Sequence, residues 1–195
     1  MRTTNEVNTH NGHGFVDLGL PSGTLWATCN VGATSPEQAG LYFAFGETTG
    51  YTAEQVEKGV RKFDTASYTA SKIFYELTRE DDAAHIHMGG KWKIPTEYEW
   101  QELIDNCDVS WKDDYNGTGV KGRIFTSKVN GNSVFLPAAG YCYYWSVLDV
   151  GSDGSYWSAT CLSSCAWGLG FGSEDQCLGR NSMYYGFSVR GVCEA

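Results

Sequence analysis

Cys161 and Cys165 stand four residues apart, and a cysteine held as thiolate is a potential nucleophile or metal ligand. Such chemistry needs a neighbour that holds a thiol as thiolate, yet no basic residue lies between Ala159 and Gly179. The seven cysteines (Cys29, Cys107, Cys142, Cys161, Cys165, Cys177, Cys193) contain no CxxC pair, which disfavours a zinc ribbon, and their odd number rules out complete disulfide pairing. His85 and His87 sit two apart, as ligands on one side of a strand would, with Asp81 and Asp82 nearby. A third ligand is not evident, and the pair reads as part of a solvated loop leading into Gly89-Gly90. Asp113, Asp114, Asn116 and Gly117 lack the spacing and terminal Glu of a calcium loop and read as a polar turn. Gly168, Gly170 and Gly172 are followed by no P-loop lysine, and no G-x-S-x-G elbow occurs. These residues define no catalytic centre, no metal site and no cofactor, so the expectation is binding without chemistry.

Charge narrows the partner. With 14 Lys+Arg against 23 Asp+Glu, the 195-residue chain has a formal net charge of −9 and no basic cluster, so no nucleic acid is expected as ligand. No apolar run approaches the roughly 20 residues of a spanning helix, so no direct membrane insertion is expected. Met1 to Gly14 is polar and lacks the apolar core of a signal peptide. The 24 glycines, 7 tryptophans and 12 tyrosines imply a loop-rich fold with large aromatic anchors rather than long helices.

The elements that must carry a binding surface follow from local signals. Residues 1–13 read as a flexible N-terminal arm, and one domain runs from 14 to 195. Phe15 to Leu20 and Leu25 to Cys29, separated by Pro21-Ser22-Gly23, read as two short strands. Ser35-Pro36-Glu37-Gln38 carries helix-start residues and predicts a short helix from Pro36, while Thr48 to Asp82 reads as long loops with at most a weak helical turn. Thr96 and Glu99 form a capping box that predicts a helix over Glu97 to Asn106. Arg123–Ser127 and Ser133–Leu136 flank Asn130-Gly131 and predict a hairpin ended by Pro137. Ala166 to Gly172 alternates, with Trp167, Leu169 and Phe171 towards a core and the glycines on a bare face. Gly186 to Val192 alternates again, placing Phe187 and Val189 inward and Ser188 and Arg190 outward. The class is α+β: small antiparallel sheets with two short helices and long loops.

Five ordered blocks carry a resemblance: Gly14-Phe15-Val16-Asp17-Leu18-Gly19-Leu20-Pro21-Ser22-Gly23-Thr24-Leu25-Trp26-Ala27; Gly90-Lys91-Trp92-Lys93-Ile94-Pro95-Thr96 with Glu99-Trp100; Phe135 to Tyr141; Tyr156-Trp157-Ser158; and Gly186 to Arg190. Together they resemble the formylglycine-generating-enzyme-like branch of the C-type lectin fold, and within it the variable proteins of diversity-generating retroelements. The resemblance implies a C-type-lectin-like domain whose segment from about 157 to 190 is diversified by error-prone copying at adenines. Asparagine codons then become codons ending in C or T, which exclude Trp, Met, Gln, Glu and Lys.

Cys161, Ser164, Cys165, Gly168, Gly170, Gly172, Asp175, Cys177, Gly179, Asn181, Ser182, Tyr184 and Tyr185 fit that alphabet and are the expected exposed, ligand-binding positions. Trp157, Trp167, Leu169, Phe171, Phe187 and Val189 are the expected buried scaffold. Glu174, Gln176 and Met183 fall outside the alphabet, which makes them fixed positions or counts against diversification. Tyr143, Tyr144, Tyr184 and Tyr185 are the natural anchors for a protein or glycan ligand, as tyrosines are in a paratope. The resemblance implies a receptor- or adhesin-type protein on a cell surface or phage tail. Two alternatives accompany it: a formylglycine-type or copper-dependent enzyme using Cys161 and Cys165, and an invariant surface or phage decoration domain.

Overall fold

Asn11 and Gly12 both take positive φ, 50° and 80°, and turn the chain so that Thr9–His10 (β1) pairs antiparallel with His13–Asp17 (β2). The computed structural model describes residues 8–70 and 75–195. The expected arm of residues 1–13 is therefore corrected at its end. Trp92 Nε1 donates to His10 O at 2.9 Å and Lys91 N donates to His10 Nε2 at 3.0 Å, which ties the hairpin to the domain. Residues 1–7 lie outside the described residues.

The chain continues through β3 (Thr24–Asn30), β4 (Tyr42–Phe43), α1 (Ala53–Glu57), α2 (Ala83–Met88), α3 (Glu97–Asn106), β5 (Cys107–Lys112), β6 (Gly122–Ser127) and β7 (Ser133–Pro137). It ends with β8 (Tyr141–Tyr143), β9 (Ser146–Leu148), β10 (Gly154–Leu162), β11 (Cys165–Phe171), β12 (Gln176–Ser182), β13 (Phe187–Ser188) and β14 (Arg190–Glu194). These strands form four small sheets in the orders β1-β2-β3-β14, β12-β11-β10-β13-β4, β5-β6-β7 and β8-β9, antiparallel except where β10 meets β13. With three α-helices among the described residues, the architecture is α+β.

Local chemistry explains the elements that form. Thr96 Oγ1 accepts the Glu99 N–H at 3.2 Å and Glu99 Oε2 accepts the Thr96 N–H at 2.8 Å, the capping box that starts α3. The β6–β7 hairpin turns through Asn130-Gly131, with Gly131 at φ 75°. The helix expected from Pro36 does not form. Gln38 Oε1 instead accepts the Thr34 N–H at 2.9 Å, and Leu41 N donates to Val31 O at 2.9 Å, closing residues 31–41 as a tight loop. Gly40, at φ 73°, permits that closure, since a Cβ there would lie 2.4 Å from Val31 O.

His85 and His87 are corrected too. They lie on α2, capped by Asp82, whose Oδ1 accepts the His85 N–H at 2.9 Å and whose Oδ2 accepts the Ile94 N–H at 2.8 Å. Burial pushes the Asp82 carboxyl up from its ordinary range, against those two donors. Residues two apart on a helix diverge: His85 Nδ1 meets Trp92 O at 3.3 Å, while His87 Nε2 meets Thr48 O at 2.8 Å.

Ser188 and Arg190, expected outward, are both fully buried. The alternation from Gly186 to Val192 crosses from β13 in one sheet to β14 in another, and β14 shifts register between Arg190 and Val192, so period two does not carry through. Arg190 donates from Nε to Asn30 Oδ1 at 2.9 Å, from Nη1 to Ala27 O at 2.8 Å and from Nη2 to Phe135 O at 2.9 Å. Asn30 Nδ2 donates onward to Ala39 O and to Tyr156 Oη, and Tyr156 Oη donates to Pro137 O at 2.8 Å. Desolvation pushes Tyr156 up to about 12 despite the nearby guanidinium, so it stays a neutral donor. Replacing Arg190 by Met leaves Asn30 Oδ1 and two main-chain carbonyls short of a donor. We expect a loss of about 3–5 kcal/mol in urea unfolding, against under about 0.5 kcal/mol for Met at the exposed Arg180.

Candidate functional site

The five-stranded sheet is covered on both faces near its middle. From β10, Trp157, Ala159 and Cys161 enter one core with Ala166 and Phe187, while Tyr156 enters a second with Leu169 and Phe171. The face expected to be bare is therefore covered along half of β11, and this sorts the predicted positions. Trp157, Leu169, Phe171, Phe187 and Val189 are buried. Trp167 is corrected: it is half-buried, because it pairs with exposed Arg180 on the edge strand, beyond the second core.

Two expected ligand positions are also corrected. Cys161 is buried in the first core. Gly168 is buried, and a Cβ there would lie 2.8 Å from Tyr156 O and 3.5 Å from Phe187 Cε2. Ser164, Asp175 and Cys177 are exposed, and Cys165, Gly170, Gly172, Gly179, Asn181, Ser182, Tyr184 and Tyr185 are half-buried. Gly170 pairs with Cys177 on the first-core face, next to the Gly168–Gly179 pair, and a Cβ on Gly170 or Gly179 would meet nothing within 4 Å. Beyond Phe187 the sheet thus continues as an open floor with almost no side chains.

An aromatic wall rises beside that floor. Buried Trp157 stacks on Phe187 at 4.2 Å between centroids, and Phe187 is parallel to Tyr185 at 6.1 Å. Tyr185 contacts Tyr184 at 5.0 Å and Tyr143 at 5.3 Å, and Tyr143 meets Tyr144 edge-on at 4.5 Å. Two distant segments build the wall, because Cys142 and Gly186 exchange main-chain hydrogen bonds at 2.7 and 2.9 Å and so bring β8 beside the residues before β13. Its far end is the β8–β9 turn, where Tyr144 takes φ 53° and is pinned by reciprocal main-chain bonds to Phe63 at 2.8 and 2.9 Å. The positive φ, which a bulky residue adopts only when its surroundings hold it there, presents Tyr144 and Trp145 to solvent at 45% and 46% exposure.

Sequence reasoning missed Trp145 and Lys62. The Lys62 ammonium lies 4.8 Å from the Tyr144 ring centroid and 5.8 Å from that of Trp145, and pairs with Asp64 at 2.6 Å. The run Tyr141-Cys142-Tyr143-Tyr144-Trp145 was the available signal for Trp145; nothing local pointed to Lys62. Desolvation, followed by the neighbouring tyrosines, raises the Tyr143 and Tyr185 phenols above their ordinary value, which keeps these two neutral at physiological pH.

The thiols do not form a joint site. Cys161 pairs with Ala166 and Leu162 with Cys165, so Cys161 and Cys165 point to opposite faces of the sheet. Burial pushes the Cys161 thiol up, the wrong direction for a nucleophile. Among the described residues no three His, Cys, Asp or Glu side chains are grouped to hold a metal. No described helix is long and apolar enough to cross a membrane. A concavity of about 800 Å³ opens between the Gly32–Pro36 turn and α2, and none of the predicted ligand positions lines it.

Residues outside the restricted alphabet divide by role. Gln176 Oε1 accepts from Arg123 Nη1, whose Nε also donates to Gly172 O at 2.9 Å, and Met183 packs on the first core while its carbonyl accepts the Phe45 N–H at 2.9 Å. Glu174 is exposed in the β11–β12 turn. The chain matches no protein-family model, no curated protein and no solved structure.

The line between frame and open floor is testable with one added methyl group. Gly168→Ala should cost about 1–3 kcal/mol through overpacking against Tyr156 O. Gly170→Ala should change stability by less than about 1 kcal/mol and towards stabilisation. Both are read from urea midpoints, and equal effects would contradict the two-sided burial.

Proposed function

We propose that this chain is a C-type-lectin-like variable protein of a diversity-generating retroelement, and that it binds a protein or glycan on another surface without chemistry. The observation that carries this reading is the glycine floor of β11 and β12 lying beside a tyrosine wall rooted in the core. Tyrosines already stacked on Phe187 and Trp157 lose little freedom on binding, which lowers the entropic cost that weakens most flat surfaces. Gly170 and Gly179 carry no side chain and a Cβ on either meets nothing within 4 Å, so substitutions there reshape the ligand surface at little cost to the frame.

Under this reading the diversified positions are Ser164, Cys165, Gly170, Gly172, Asp175, Cys177, Gly179, Asn181, Ser182, Tyr184 and Tyr185. Cys161 and Gly168 fit the alphabet but belong to the frame. The frame roles of Gln176 and Met183 agree with their being fixed. A cell surface or phage tail is the setting in which such a protein works.

Two measurements test the proposal. Sequencing the neighbouring DNA should find a near-copy of the segment encoding about 157–190, differing at adenines of the template, beside a reverse transcriptase gene; absence of both removes diversification. Labelled protein applied to glycan and surface-protein arrays should bind a discrete set of features. Joint Tyr184→Ala and Tyr185→Ala substitution should weaken that binding about 30-fold or more, the loss expected of a central aromatic anchor. Unchanged binding would remove the wall from the site.

A further inference from the structure

β12 is the edge of the five-stranded sheet, and it lacks the devices that usually blunt an edge. Its seven residues run in unbroken register with β11, from Cys165↔Ser182 to Phe171↔Gln176, with no bulge. It contains no Pro and no Lys, and its one charge is Arg180. Among the described residues no strand or isolated bridge pairs with its outer side.

The direction of each main-chain group on β12 follows from one bond. Gly172 N donates to Asp175 O at 3.0 Å, which makes 172 and 175 a hydrogen-bonded pair. Such pairs alternate in an antiparallel ladder, so Cys177, Gly179 and Asn181 bond to β11. The N–H and C=O groups of Gln176, Leu178, Arg180 and Ser182 point to the open side; of these, Ser182 O accepts the Tyr185 N–H at 3.2 Å. This pattern is symmetric about Gly179. A second β12, antiparallel and centred on Gly179, places Leu178 opposite Arg180 of the second copy and Gln176 opposite Ser182 of the second copy, every outward donor facing an outward acceptor. Gly179 then faces its own counterpart in a pair that is not hydrogen-bonded, where the Cα atoms approach most closely, at about 4.5 Å. No atom lies within 4 Å of the position a Gly179 Cβ would take, so a side chain placed there meets nothing on that face of the strand.

We propose that the chain forms a two-fold dimer in which β12 of each copy pairs with the other, joining the two five-stranded sheets into one. Main-chain groups hold this interface, so it tolerates changes at Cys177, Asn181 and Ser182 whether or not those positions are diversified. The inference stands on the ladder alone and does not depend on the proposed ligand. Two copies also present two tyrosine walls, and a clustered ligand would be held by both.

Analytical ultracentrifugation of the full chain under reducing conditions should show a species of twice the chain mass that dissociates on dilution. Arg180→Pro removes an outward N–H without touching the β11 ladder and should give a monomer with unchanged circular dichroism, whereas Arg180→Ala should remain dimeric. Gly179→Cys in a Cys177→Ser background should cross-link to a covalent dimer with a mild thiol oxidant, because the close pair across the two-fold suits disulfide geometry. The same background with Gly179 retained should not. A chain that is monomeric at every concentration, or a dimer that persists in Arg180→Pro with no cross-link through residue 179, overturns the proposal; a monomer that instead binds extended peptides along this edge does so equally.

Discussion

A guanidinium sealed in the interior with no carboxylate of the described residues paired to it must find oxygen for its N–H groups, and at Arg190 that requirement fixes how the sheets meet. The side chain starts on β14 and donates to a carbonyl of β3, a carbonyl of β7 and the amide oxygen of Asn30. Asn30 and Tyr156 extend the same network to the 31–41 loop, to β10 and to the end of β7. Three of the four sheets therefore share one set of polar contacts. A displacement of any of them would strand a buried charge or a buried carbonyl, each worth about 1–3 kcal/mol or more. Apolar packing alone would tolerate small slides between sheets; directional bonds to a planar fork do not.

The proposed binding surface inherits that rigidity. Tyr156 and Trp157 are consecutive on β10: one sends its hydroxyl into the arginine network, and the other carries the stack that runs through Phe187 to Tyr185. Trp157 is further held by Nε1 donating to Phe43 O at 2.7 Å, and Trp100 Nε1 donates to Trp157 O at 3.2 Å. The wall is thus anchored at its base by hydrogen bonds and becomes exposed only at Tyr144 and Trp145.

Elements set by short-range chemistry were legible in the sequence. The capping box fixes α3 because Thr96 and Glu99 satisfy each other's main chain, and Asn130-Gly131 fixes a hairpin because few other pairs accept its dihedrals. Long-range contacts were not legible. Ser35-Pro36 carries helix-start residues, but closure of Leu41 onto Val31 leaves no room for a helix. Nothing around Arg190 reveals that its partners lie on strands far away in the chain. Alternation identifies the two faces of β11 but cannot say which is covered, so Gly168, where a Cβ would lie 2.8 Å from Tyr156 O, looked the same as Gly170, which faces open space.

That last distinction bears on how the surface proposed to vary could coexist with a stable frame. The restricted alphabet alone would admit Cys161 and Gly168 to the surface, and burial alone would leave Gln176 and Met183 ambiguous because both are half-exposed. Contacts resolve both cases. Gln176 holds Arg123 through its amide oxygen, and the Met183 side chain packs on the first core, so each is constrained by specific side-chain contacts rather than by depth. Gly170 and Gly179 have no such partner, and the main chain alone holds their place in the ladder. What marks a position as free to vary here is the absence of a side-chain job within a strand whose main chain is fully occupied on its inner side, and β12, where such positions are densest, is also where the sheet ends.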